Sequence, residues 1–256
     1  MNISIYNREV FSRYHSKSQI ARVLTENWVE KEMYCPSCLN EELGRNTNNT
    51  KVIDFTCNNC YNSFQLKSQS NKFYSRVVDG AFNPMVKLIR SKINPNFFFM
   101  QYSNTDWEIK KLFLIPKFFF SEQIIEKRKP LSENARRSGW IGCNILLSKL
   151  PDFGKISIID NIEVISKKEV RRNWKKLSFL NKENPEKRAW ISDILVCIEK
   201  LNKKEFTLEE IYDYEEYLKK IHPNNYHIKE KIRQQLQVLR ERNILEFKSR
   251  GYYILK

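Results

Sequence analysis

The sequence predicts an α/β core stapled by a cysteine metal site and followed by a C-terminal winged-helix domain. Three observations carry that reading. Segments of helical and strand periodicity alternate through the first part of the chain. Four cysteines stand as two C-x-x-C pairs. Residues 188–256 then run as three helices and a short terminal hairpin, which is winged-helix order.

Composition bounds the function classes. A chain of 256 residues, 41% hydrophobic and 13% aromatic, buries a real core and is not a disordered polymer. Lys and Arg outnumber Asp and Glu by 45 to 30, a net charge of +15. Such an excess points to a polyanionic partner, nucleic acid first, or to a solvated basic surface with no partner at all. The opening MNISIYNREVF has no apolar core of an export signal. The greasiest pieces, NFFFM at 96–100 and LFLIPKFFF at 112–120, are too short to span a membrane and read as buried strands. The expectation is a soluble, cytoplasmic protein in a reducing compartment, where clustered cysteines are metal ligands before they are disulfides.

In chain order, 16–34 (SKSQIARVLTENWVEKEMY) has apolar residues at 20, 24 and 28 and again at 21 and 29, an amphipathic helix opening at Ser16. Glu26 or Glu30 on it could lend a carboxylate to a nearby site, or simply be solvated. Cys35-Pro-Ser-Cys38 and Cys57-Asn-Asn-Cys60 follow, separated by the eighteen residues 39–56. That spacing suits a closed, structural four-cysteine zinc site, and no His lies near it to suggest a catalytic zinc.

Residues 51–56 and 63–69 predict two strands joined by the second knuckle. A turn centred between Asn59 and Cys60 sets Asp54 opposite Gln65; one residue earlier, Asp54 faces Ser63. Either register leaves Asp54, Gln65 and Lys67 on one face, since side chains alternate along a strand. A carboxylate and an amide oxygen suit a hard divalent cation, and an amine suits charge developing at phosphorus. D-x10-Q-x-K matches the loose D…(D/E)-x-K pattern of metal-dependent nucleases, with Gln in place of the second acid. A polar hairpin face without chemistry would look the same.

Further on, 77–91 reads as a helix disturbed at its start by Gly80 and Pro84, with strands near 96–102, 110–116 and 155–160. Cys143 and Cys197 read as small core residues. The polar, Pro-bearing NKENPEKR at 181–188 reads as a linker, dividing the chain at 181/182. Beyond it lie a helix at 188–201, a second opened by a Thr207/Glu210 capping box, and a third at 227–243. Two strands around Ser249-Arg250-Gly251 end the chain. Residues 227–256 hold eight basic side chains against three acidic, whereas 205–216 hold six acidic and none basic. The third helix and wing are therefore the expected DNA-facing side. Arg233, Gln234, Gln237 and Arg240 lie off its apolar stripe, and Arg and Gln suit bidentate reading of base edges. A wet polar face or a protein contact would share that pattern.

The residues also resemble a family, the DpnI-type restriction endonucleases that cut adenine-methylated DNA. The likeness runs along nearly the whole chain: RVLTENWV (22–29), YCPSC (34–38), IDFTCNNC (53–60), FQLKS (64–68), NPNFFF (94–99), ARRSGWIGCNI (135–145) and HIKEKIRQQLQVLR (227–240). The resemblance implies a zinc-stapled PD-(D/E)XK catalytic domain, a C-terminal winged helix, and Mg2+-dependent cleavage of both strands at GATC carrying N6-methyladenine. It casts Asp54 and Gln65 as magnesium ligands, Lys67 as the catalytic amine, and Cys35, Cys38, Cys57 and Cys60 as zinc ligands. Trp140, after Arg136 and Arg137, matches a tryptophan that senses the adenine methyl groups; on its residues alone Trp140 would pass for a core side chain. The implied partner is adenine-methylated double-stranded DNA, engaged by a monomer. Gln65 departs from the family's acid. The alternative is a methyl-DNA-binding regulator whose nuclease domain has lost its activity.

Overall fold

The computed structural model describes residues 1–46, 53–91 and 94–256. Two compact units interleave along the chain. The first comprises Met1–Tyr74, Asn83–Phe120 and Gly154–Phe179, and the second Ser75–Phe82, Ser121–Phe153 and Leu180–Lys256.

The first unit is built on a seven-stranded sheet. Numbered in chain order, its strands are β1 (Gly44–Arg45), β2 (Phe55–Thr56), β3 (Ser63–Gln69), β5 (Asn96–Tyr102), β6 (Ile109–Ile115), β9 (Ile156–Asp160) and β10 (Glu163–Val164), and they neighbour one another in that order. Only β3 and β5 run parallel; the other pairs are antiparallel. The central β5 carries Phe97, Phe98, Phe99 and Met100, all fully buried. A run buried on both faces has no reason to alternate, which is why NFFFM is continuous rather than patterned. Burying each such side chain is worth about 1.5–3 kcal/mol, so this strand anchors the unit. Its rings stack on neighbours: Phe64 on Phe98 at 5.1 Å, Phe99 on Phe113 at 5.1 Å and Phe97 on Phe120 at 4.3 Å.

Around the sheet lie α1 (Val10–Arg13), α2 (Lys17–Glu32), α3 (Phe82–Arg90) and α4 (Lys167–Leu177). The first long helix, α2, begins after Ser16 as expected, and its Thr25 hydroxyl meets that of Ser68 on β3 at 3.2 Å. α4 packs against β9. The β6 strand ends at Ile115, and the FFF of residues 118–120 is buried in a short 3-10 turn rather than a strand, because Pro116 interrupts the ladder.

The second unit contains a small sheet in the order β4 (Arg76–Ala81), β8 (Gly142–Leu146), β7 (Ile125–Lys127). The helix expected over 77–91 is thus corrected. Its first part is strand β4, with Val77 buried and Val78 63% exposed, the period-two pattern of a half-buried strand. The helix starts only at Phe82, where Pro84 falls in the first turn and costs no intrahelical hydrogen bond.

The same unit carries the C-terminal helices α5 (Pro185–Lys200), α6 (Leu208–Tyr212), α7 (Glu215–Ile221) and α8 (Ile228–Glu241), with β11 (Glu205–Thr207), β12 (Leu245–Ser249) and β13 (Tyr252–Leu255) in the order β11-β13-β12. The expected linker at 181–188 is short: only residues 183 and 184 lie between a 3-10 turn ending at Lys182 and α5. Asn184 caps α5, its side chain accepting from the Lys187 amide at 2.8 Å, and Pro185 opens the helix, where its missing N–H loses nothing. The capping box is present as read: the Thr207 hydroxyl accepts from the Glu210 amide at 3.3 Å and Glu210 accepts from the Thr207 amide at 2.8 Å. The β12–β13 turn passes through Gly251 at φ +74°. Strands, sheet core and C-terminal helical module make a mixed α/β fold. Cys143 and Cys197 are core residues. Among the described residues no helix is long and apolar enough to cross a membrane.

One side chain secures the cysteine loop to the first unit's helical cover. Arg171 of α4, 18% exposed, donates to the Cys35 carbonyl at 3.2 Å, to the Asn40 carbonyl at 3.1 Å and to Glu41 at 2.8 Å, and lies 5.0 Å over the Tyr34 ring. Arg171→Ala should lower the unfolding free energy by about 1–3 kcal/mol, and Arg171→Lys should recover only part of it because the planar fork is lost. An unchanged urea midpoint for Arg171→Ala would refute this role.

Candidate functional site

The four cysteines come together as the spacing requires. Their sulfurs lie within 4.8 Å of one another, with Cys35 to Cys60 at 3.6 Å and Cys38 to Cys57 at 3.7 Å. A tetrahedron of thiolates at a zinc–sulfur distance of about 2.3 Å has edges of roughly 3.8 Å, so the geometry fits. Each knuckle is a closed turn: the Cys35 amide donates to Asn40 at 3.0 Å and the Cys57 amide to Asn62 at 2.9 Å. Burial pushes the Cys35 thiol far above its ordinary value. Burial also raises Cys60, but hydrogen bonds from the Asn62 amide and side chain, together with those shared with Cys35 and Cys57, outweigh it and bring that thiol down to about 7. Four such thiols cannot all ionise side by side without a cation to offset their charge. The cluster could hold a metal ion.

The second knuckle hands its geometry to the hairpin. Phe55 pairs with Phe64 and Thr56 with Ser63, which selects the register that sets Asp54 opposite Gln65. Of the strand expected over 51–56, residues 51 and 52 lie outside the described residues and only Phe55–Thr56 form regular strand. Asp54 is nevertheless held on the hairpin. Its amide donates to the Phe64 carbonyl at 3.0 Å, and its carboxylate Oδ2 accepts from the Leu66 amide at 2.7 Å. Burial raises the Asp54 carboxyl above the ordinary range; the Leu66 amide opposes that, the Glu26 charge adds to it, and Lys67 and Arg22 offset it.

Gln65 stands next to this carboxylate with its amide oxygen Oε1 buried and without a hydrogen-bond donor. An orphaned buried acceptor costs about 1–3 kcal/mol, and a cation is a natural partner for it. Lys67, two residues along the same face, is half-buried. Asp54, Gln65 and Lys67 therefore share one face of one hairpin, and Asp54 with Gln65 fits a divalent cation.

The structure adds what the sequence left open. Of the two candidate carboxylates, Glu26 is the buried one, 9% exposed, and its charge reaches Asp54. It is clamped by the Arg22 guanidinium at 2.7 Å and by Arg45 of β1. Arg45 also reaches Asn27 at 2.9 Å and the more exposed Glu30 at 3.5 Å. Sequence reasoning misses Arg45 because it sits in a polar loop between the knuckles, where no periodicity marks it. The Arg22/Glu26 spacing of four residues on a helix is the available signal for the other half of the clamp.

The remaining expected residues lie in the second unit. Arg136, Arg137 and Trp140 occupy the β7–β8 connection; both arginines are exposed, Trp140 is half-buried, and the Arg137 guanidinium lies 5.1 Å from the indole. Arg233, Gln234, Gln237 and Arg240 are all exposed on α8, opposite its buried Ile228, Ile232, Gln235, Leu236 and Leu239. They are not idle there: Arg233 donates to the Tyr212 hydroxyl at 2.9 Å and to Glu230 at 3.1 Å, and Gln237 donates to Glu241 at 3.1 Å.

Comparison with known families matches this arrangement part by part. The model described as the Dam-replacing family covers residues 1–183, and the one described as the Dam-replacing HTH domain covers residues 186–254. Taken with the cysteine cluster and the helix-turn-helix tail, these matches place the chain in the DpnI, or Dam-replacing, family of methyl-directed restriction enzymes.

Proposed function

We propose that the protein is a PD-(D/E)XK deoxyribonuclease that hydrolyses both strands of DNA at GATC sites carrying N6-methyladenine, with catalytic Mg2+ and a structural Zn2+. The observation that carries the catalytic reading is the buried, donor-less Gln65 oxygen next to the Asp54 carboxylate, on the strand that presents Lys67. Magnesium, when bound by Asp54 and Gln65, would supply Lewis-acid polarisation of a phosphoryl oxygen. The chain's own groups do the rest. The Leu66 amide fixes the orientation of the Asp54 carboxylate. Lys67 holds the attacking water by its ammonium and offsets the negative charge that grows on the phosphate oxygens. Arg22 and Arg45 neutralise Glu26, so the buried site does not carry two uncompensated carboxylates.

Cys35, Cys38, Cys57 and Cys60 hold zinc in a closed site with no open position for water, so that ion shapes the hairpin and takes no part in hydrolysis. Recognition divides between the exposed polar face of α8, through Arg233, Gln234, Gln237 and Arg240, and the loop carrying Arg136, Arg137 and Trp140. Gln65 favours a second reading, a methyl-DNA-binding regulator without cleavage, because a neutral amide holds a cation more weakly than an acid. Digestion of one plasmid prepared with and without adenine methylation, in Mg2+ or in EDTA, separates the two. Discrete fragments from methylated DNA with Mg2+ alone establish the nuclease. A methyl-dependent gel shift without cutting establishes the regulator.

Lys67→Ala should reduce single-turnover cleavage by about 10²–10⁴-fold while DNA affinity in Ca2+ stays near that of the parent; a fully active variant would sink the site assignment. Gln65→Glu should bind Mn2+ several-fold more tightly in calorimetric titration without DNA, and an unchanged affinity would remove Gln65 from the cation's ligands. The purified protein should carry one zinc per chain by elemental analysis. Cys60→Ser should lose it and lower the Tm, and added Mg2+ should not restore either. Full zinc content in Cys60→Ser would disprove the ligand set.

A further inference from the structure

Trp140 does not sit freely in its loop. The Leu131 amide donates to the Trp140 carbonyl at 2.9 Å, the Gly139 amide returns to Leu131 at 3.1 Å, and the Trp140 amide donates to Arg137 at 3.1 Å. Two residues on, Gly142 opens β8, and its carbonyl accepts from the Arg128 amide at 3.0 Å. Backbone thus fixes the indole's root on both sides. Its far edge is fixed by absence of a side chain. A Cβ placed on Gly142 would lie 2.8 Å from both Cη2 and Cζ3 of Trp140, and 3.5 Å from the Arg128 side-chain stem. Carbon atoms do not approach that closely, and an indole is rigid, so it would have to rotate or lift as a whole.

We propose that Gly142 is a specificity-determining positioning residue, whose missing Cβ lets the Trp140 indole lie deep enough in the β7–β8 loop to distinguish a methylated base from an unmethylated one. This rests on Trp140 being a methyl-sensing side chain. A methyl group offers no hydrogen bond and takes the place of an amino N–H, so a site that prefers the methylated base gains from shape and apolar contact rather than from a new hydrogen bond. Such contact is lost when the apolar surface moves by a fraction of a methyl radius. The depth of the ring is therefore the quantity that matters, and the missing Cβ at position 142 is what admits the ring to that depth. Arg137, stacked on the same indole, belongs to the free protein's arrangement of this surface.

The test is a double-mutant cycle on the full chain, read as the ratio of affinities for methylated and unmethylated GATC duplexes in Ca2+. Gly142→Ala should cut that ratio roughly fourfold or more, about what one buried methyl is worth. Trp140→Phe removes both ring atoms that meet the new Cβ, so adding Gly142→Ala to it should change the ratio no further. Fluorotryptophan NMR adds a direct readout: among the five tryptophans, the Trp140 resonance should move in Gly142→Ala. Should Gly142→Ala alone fail to fold, Trp140→Phe must restore folding. An equal effect of Gly142→Ala in both backgrounds, or a fold not rescued, overturns the positioning role. If Trp140→Phe and Trp140→Ala keep full discrimination, the sensing role of Trp140 falls instead. If those variants lose discrimination while Gly142→Ala keeps it, only the inference about Gly142 falls.

Discussion

The register between β2 and β3 is the constraint on which the site depends. In an antiparallel pair a slip of one residue sends every side chain to the opposite face. Here Phe55 and Phe64 are opposite one another and both fully buried, so a slip would cost the burial of one of them. The Cys57–Cys60 turn meets the same hairpin from its closed end, with the Cys57 amide bonded to Asn62 at 2.9 Å. Core packing at one end and the cysteine turn at the other thus specify a single alignment. Asp54, Gln65 and Lys67 share a face as a consequence. A structural metal in the knuckles would act on the active face by this mechanical route, without touching a substrate.

Charge balance explains how a glutamine can stand where an acid is expected. Asp54 is half-buried, and Glu26 is buried close enough to raise its carboxyl further. A third acid at position 65 would add a like charge beside Asp54 and Glu26, whose charges Arg22, Arg45 and Lys67 already offset. The amide keeps an oxygen for a cation and omits the charge. Its Oε1 is buried without a hydrogen-bond donor, which leaves that oxygen open to a cation. The cysteine cluster has a stronger form of the same need, since four adjacent thiolates require a cation to coexist.

The parts of this architecture visible in the sequence are those set by local chemistry. Two C-x-x-C turns, the Thr207/Glu210 box, the α2 stripe and the β3 alternation all declare themselves within a few residues. Local reading fails where one residue type serves two structures. Pro185 looks like linker punctuation but starts a helix, and only its neighbour Asn184, capping the Lys187 amide, separates the two cases. Val77–Val78 looks continuous with a helix that begins only at Phe82, because the pairing of Val77 with Ile145 and Val78 with Asn144 comes from far along the chain. Arg45 is hidden for the same reason: its partners on α2 are fifteen to nineteen residues away, across the first knuckle. The interleaving of the two units cannot be read locally at all, since a contact between β4 and β8 has no signature in either segment.

Affinity and selectivity for DNA rest on different physics in such a molecule. The basic excess of the chain attracts any phosphate backbone and weakens with salt. It cannot distinguish a methylated base, which carries the same charge as its parent. Base-edge hydrogen bonds from Arg233, Gln234 or Gln237 can read sequence but have nothing to bond on a methyl group. A preference for the modified base is favoured by an apolar surface that meets the methyl group at a fixed depth. Within the loop at 128–142 the Trp140 indole is tied at its root by backbone hydrogen bonds and admitted at its tip by a glycine, and under the proposed reading it is that surface. Rigidity is the requirement, because a mobile ring would adapt to either base and read neither. Raising the salt should thus weaken binding to methylated and unmethylated DNA together, since the screened phosphate contacts are common to both, and leave their ratio nearly unchanged.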